Sequence, residues 1–177
     1  INSTRAVVTI PVVVHILYNT AVQNISDMRI KEQIDCLNKD FRKLNSDIIN
    51  VPSVWQSIAA DCEMQFCLAQ KTPSGAPTTG IEKKQTSVTF FKHDANETMK
   101  HSSGGGLDAW DINKYFNIWV CPLEQGLGGY AQFPNQFDNN YGVVIGYGRF
   151  GGNININLGR TLTHEIGHCF NLIHIWG

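Results

Sequence analysis

His164, Glu165 and His168, with a further histidine at 174, constrain this 177-residue chain more than any other feature. Side chains four apart on a helix share one face, so His164 and His168 can offer two imidazoles to a single point only if the chain is helical there. His174 lies too far along to share that face, and joins them only if the chain turns sharply after the helix. Three convergent imidazoles are a donor set for zinc in hydrolytic sites, where a fourth position stays open for water. Glu165, beside the first of them, is placed to take a proton rather than to bind the metal.

The bland alternative makes His164 and His168 surface residues of an ordinary helix and His174 a loop residue. With six His in the chain, an H-E-x-x-H string arises by chance in roughly one such sequence in 150. Thr161, Leu162, Ile166, Cys169 and Phe170 supply apolar or small positions around the histidines, and Gly159 offers an entry to the helix.

Along the rest of the chain, strands alternate with helices. The β-branched run at 7–17 reads as a buried first strand with Pro11 at an irregular point or edge. A helix is expected over 27–44, with Ser26 as N-cap and a stripe of Ile30, Ile34, Leu37, Phe41 and Leu44. Strands follow at 62–69, 81–90, 115–121 and 141–147, and the turn-rich 71–80 is a loop within the domain. The fold class is therefore α+β: a twisted mixed sheet of about five strands, a backing helix and the histidine-bearing helix.

Gly159, Arg160, Thr161, Leu162 and Thr163, running into His164-Glu165-Ile166-Gly167-His168, resemble the active-site helix of the pappalysin family of metzincin zinc peptidases. Similar segments include Ile10-Pro11-Val12-Val13-Val14-His15, Asn38-Lys39-Asp40-Phe41-Arg42, Thr79-Gly80-Ile81-Glu82, Tyr115-Phe116-Asn117-Ile118-Trp119-Val120-Cys121 and Tyr141-Gly142-Val143-Val144-Ile145. Where the metzincin pattern has a bend-forming glycine between the second and third histidines, this chain has Asn171, a residue that also enters left-handed backbone readily. The resemblance implies a secreted zinc endopeptidase with His164, His168 and His174 as ligands, Glu165 as general base and cleavage beside a basic residue. Gly128-Gly129-Tyr130-Ala131-Gln132-Phe133-Pro134 is similar to the strand that metzincins place over the cleft, so Gly129, Tyr130, Ala131 and Gln132 are candidate substrate-binding residues. An ordinary hairpin strand with Pro134 protecting its edge is the other reading.

Metzincins also carry a methionine turn beyond the third histidine. Met28, Met64 and Met99 all precede the motif, so residues 1–177 are expected to be the upper, N-terminal subdomain of a longer catalytic domain. The partner so implied is a protein or peptide. The net charge of −1 gives no electrostatic reason to expect nucleic acid or an anionic membrane, and no apolar run is long enough to span a bilayer. No signal peptide is visible, and a secreted protein would have lost its own before Ile1.

The five cysteines are an odd number. Cys62 and Cys67 are expected to face opposite sides of a strand and not to pair, and Cys169 to await a partner downstream; free thiols in a reducing compartment are the alternative. His15, His93 and His101 each stand alone without a partner at ligand spacing. Gly104-Gly105-Gly106 reads as a flexible loop, a candidate flap over the active site. Asp94, Asp108 and Asp111 form no calcium-loop pattern and read as solvated carboxylates; a calcium requirement is not readable from the chain. Trp110, Trp119 and Phe116 read as core and rim aromatics, and Trp176 as a residue that packs beneath the histidines or is exposed. The rival from another class is a module that binds zinc without catalysis, against which Glu165 argues, since a structural site needs no base.

Overall fold

A computed structural model describes residues 6–151 and 159–175. Six strands form one sheet: β1 (Val8–Tyr18), β2 (Met64–Leu68), β3 (Ile81–Gln85), β4 (Phe116–Cys121), β5 (Gly129–Ala131) and β6 (Gly142–Gly146). Their order is β2-β1-β4-β6-β5, all parallel except β5, which runs against β6. The sixth strand beyond the expected five is β5, the segment singled out for its likeness to a cleft strand.

β1 is long enough to serve two neighbours on one edge. β2 pairs with Val8 to Val12 and β3 with Val14 to Tyr18, so the two lie end to end beside it. The amide of Val8 and the carbonyl of Val12 both face that edge. By strand alternation Pro11 turns its nitrogen to the β4 side, where pairing begins only at Val12, and its missing N–H costs no ladder bond.

Helix α1 (Asp27–Phe41) packs Ile30, Ile34, Leu37 and Phe41 onto the sheet, with the Ser26 hydroxyl oxygen accepting the Arg29 amide as N-cap. It ends three residues earlier than expected. Lys43 adopts φ 54°, and Leu44 N–H bonds Lys39 O while Lys43 N–H bonds Asp40 O, a Schellman closure built without glycine. Leu44 is consequently 69% exposed instead of completing the stripe. After a single turn, α2 (Ser53–Gln56), the chain enters β2. Helix α3 (Arg160–Cys169) lays Leu162, Ile166 and Cys169 against the same sheet face as α1.

The other sheet face carries a second cluster of Leu17, Phe91, Met99, Trp119, Cys121, Tyr130 and Val144. Gly104 to Gly106 belong to the packing on this side. A Cβ on Gly106 would lie 2.1 Å from the Met99 carbonyl oxygen, and Lys84 Nζ donates to Gly106 O at 2.7 Å. The segment is wedged in place, which corrects the expectation of a flexible flap. Trp119 is fully buried and Trp110 nearly so, whereas Trp55 is exposed; Trp176 lies outside the described residues.

No disulfide forms among the described residues, and Cys62 and Cys67 are both exposed. Cys169, expected to await an outside partner, is instead enclosed by the core with its sulfur 4.0 Å from Gly142 O. Burial pushes its thiol up to about 12, so it stays protonated. No described helix is long and apolar enough to cross a membrane.

Candidate metal centre

Three faces of α3 do three things. Leu162, Ile166 and Cys169 face the sheet; Glu165, 8% exposed, faces β5; His164 and His168 face outward. The helix is held at its start from α1. Arg160 pairs with Asp40 Oδ1 at 3.2 Å and with the Asp47 carboxylate, and the Thr163 hydroxyl donates to Asp40 Oδ2 at 2.8 Å. Gln33, fully buried in α1, donates to Gly159 O and accepts from Gly151 N–H, tying both ends of the segment that leads into α3.

At its far end α3 closes as α1 does. Leu172 N–H bonds Gly167 O, Asn171 N–H bonds His168 O, and Asn171 takes φ 66°. Asparagine thus performs the left-handed step expected of it, and the chain doubles back to bring His174 over the helix. The Nε2 atoms of His164, His168 and His174 form a triangle with sides of 3.1, 3.1 and 3.2 Å.

Neutral imidazoles cannot satisfy such a triangle with their own protons, since each has one N–H. At His168 that proton is spoken for: Nδ1–H donates to Leu172 O at 2.6 Å, which leaves Nε2 as a lone pair. Nitrogens bound about 2.0–2.1 Å from a tetrahedral ion stand roughly 3.4 Å apart, so the triangle fits a shared zinc-sized cation. Among the described residues these three form the one group of histidine, cysteine or carboxylate side chains close enough to hold a metal.

Glu165 reaches from α3 towards β5. A Cβ at Gly129 would stand 2.8 Å from Ile145 Cδ1, 2.9 Å from Val144 O and 3.3 Å from Glu165 Cγ, so only glycine lets helix and strand approach this closely. Burial raises the Glu165 carboxyl above its ordinary range, partly offset by His168.

β5 is an edge strand. Gly128 O and Gln132 N–H bond to β6, so alternation turns the backbone groups of Gly129 and Ala131 to the open edge. Of the four candidate substrate residues, these two present backbone groups with no partner among the described residues. Tyr130 and Gln132 are occupied inside. Tyr130 stacks on His93 with centroids 3.9 Å apart and donates its hydroxyl to Met99 Sδ, and Gln132 Oε1 accepts from Lys100 Nζ at 2.9 Å.

That lysine carries no motif and was missed in the sequence. It is fully buried, bonds Glu97 and Gln132, and lies over the Trp119 and Tyr130 rings. The other histidines stay out of the triangle. His15 is buried between Glu82 and Asn117, and neither His93 nor His101 joins a metal-ligating group. Asp94, Asp108 and Asp111 cap their own turns by accepting the amides of Asn96, Ser102 and Asn113.

A family model described as pregnancy-associated plasma protein-A, a peptidase model, matches residues 102–177. An extracellular metalloprotease of Colletotrichum graminicola is 28% identical over 181 residues, covering 96% of this chain and 52% of its own. One from Verticillium alfalfae is 41% identical over 66 residues, covering 33% of this chain and 24% of its own. The structure of mature mirolysin of Tannerella forsythia in complex with a cleaved peptide superposes with a TM-score of 0.94 at 44% identity, covering 98% of this chain and 66% of mirolysin. The chain thus spans about half the length, or less, of these curated relatives, and 66% of that mirolysin chain. The family model, the curated metalloproteases and the fold shared with mirolysin all agree with the likeness to the pappalysin family of metallopeptidases that the sequence carries.

Proposed function

We propose that the chain is the upper, N-terminal subdomain of a secreted zinc endopeptidase. The observation that carries this reading is the triangle of Nε2 atoms at 3.1 to 3.2 Å beside a buried carboxylate and a strand edge left open among the described residues. His164, His168 and His174 would hold the zinc, which when bound supplies a Lewis acid for the scissile carbonyl and lowers the pKa of a water.

The chain's own residues do the rest. Gly129 and Ala131 hold an extended peptide by backbone bonds, which reads length and conformation more than side chains. Glu165 takes the proton of the attacking water and passes it to the leaving amine; a carboxyl raised by burial is the better matched to both transfers. Leu172 O fixes the His168 tautomer throughout. Cleavage beside a basic residue rests on the family resemblance, and secretion on relatives named as extracellular.

The test is a mixed peptide library incubated with zinc-loaded protein, with a Glu165→Ala variant and with a chelated sample, new termini being located by mass spectrometry. Cleavage lost in both controls supports the reading and gives the specificity. One zinc per chain with no cleavage, either by this chain or by a form extended with a C-terminal subdomain, contradicts it.

A further inference from the structure

The groove between β5 and α3 does not end at Glu165. Thr161 lies about one turn earlier on the same helix face, about 6 Å back along the axis, and its Cγ2 would be 3.8 Å from a Cβ on Gly128. On the other flank of Gly128 lies Arg149, its Cγ 3.7 Å from that same point. The groove opens there into a cleft of about 330 Å³ whose walls include Leu123, Glu124, Leu127, Tyr147 and Arg149.

Two charges line this cleft. Glu124 is occupied, Oε1 accepting the His93 amide at 3.0 Å. Arg149, exposed on the turn after β6, has no hydrogen bond or ion pair among the described residues. A peptide paired with the β5 edge advances about 3.3 Å per residue, so a side chain two or three residues from the bond beside Glu165 reaches the cleft.

We propose that Arg149 is a specificity-determining residue that takes a carboxylate of the peptide substrate two or three residues from the scissile bond. The proposal rests on the endopeptidase reading above and names a feature of its substrate. A guanidinium offers a planar fork of donors to a carboxylate, and an exposed pair of this kind discriminates by charge more than it adds affinity.

The test is fluorescence anisotropy of labelled peptides on the zinc-loaded full chain carrying Glu165→Ala, so that binding is read without turnover. One peptide series varies glutamate, glutamine and lysine at each position; each is made with a free and an amidated C-terminus. The expected result is a preference of about fivefold for glutamate over glutamine at one position, weaker at high salt. Arg149→Ala should bring that ratio to one, and Arg149→Glu should turn it towards lysine. A preference confined to free C-termini, and lost in Arg149→Ala, identifies the terminal carboxylate as the ligand. Equal binding of all peptides, or a preference that Arg149→Glu leaves in place, overturns the assignment while sparing the endopeptidase reading. Failure of every peptide to bind a folded, zinc-loaded chain overturns both.

Discussion

The carboxylate of Asp40 accepts the hydroxyl of Thr163 at 2.8 Å, one residue before His164. Its other oxygen takes Arg160, so a single side chain of α1 sets both the position and the rotation of the helix that carries two of the three imidazoles. Asp40→Ala should destabilise the fold by about 2 kcal/mol in urea unfolding. It should also weaken zinc binding by about tenfold, as loss of an outer support commonly does. Isothermal titration of zinc checks the second figure, and unaltered affinity would reduce Asp40 to a stability role.

Asn171 stands at φ 66° between the second and third histidines. Asn171→Val should cost about 1–2 kcal/mol, because a β-branched residue resists left-handed backbone. Asn171→Gly should change stability by less than about 1 kcal/mol, relief of strain being offset by chain entropy. Thermal unfolding reads both, and only the valine variant is expected to lose zinc affinity, since it alone displaces His174.

Hydrogen bonds from Arg160, then from Asn45, hold the Asp47 carboxyl well below the usual carboxylate range. Its folded pKa is depressed, so the stability it contributes is full above the unfolded value of about 3.9 and drains away as pH falls below it. Asp47→Asn should therefore lower the melting temperature at pH 7, and the gap to the parent should close on acidification towards pH 2. A gap that is constant with pH would mean that the pair does not couple to folding.

Lys100 is buried with Glu97 as its ion-pair partner. Burial lowers its pKa, and the Glu97 carboxylate works against that shift. Removing one member leaves the other uncompensated, so Lys100→Met should cost about 3–5 kcal/mol, and adding Glu97→Gln should recover part of it. Urea unfolding of both single variants and the double variant gives the coupling; strict additivity would show the pair to be independent.

What could be read in the sequence was whatever announces itself locally. The run of valines in β1, the Ser26 cap and the triad spacing each encode their structure within a few residues, and Asn171 could be read because its place in a pattern demanded one backbone conformation. The end of α1 could not, since Lys43 closes it from a conformation that lysine rarely takes. Nor could the tandem seating of β2 and β3 along β1, because a parallel partner is chosen by crossovers, not by the strand's own pattern. Asp40, Lys100 and Arg149 look like any other charged residue until their neighbours from distant segments are in place.

The seating of β2 and β3 has one more consequence. Among the described residues, a sheet fenced on one side by two short strands laid end to end offers a broken ledge there, and its other rim, three residues of β5, is the unbroken one. That rim overlooks the histidines. On the endopeptidase reading proposed above, a stray strand seeking a mate at that rim, from an unfolded chain or a second copy, meets the same backbone groups and carboxylate that would engage a substrate, so the hazard an open edge carries falls where it can be disposed of.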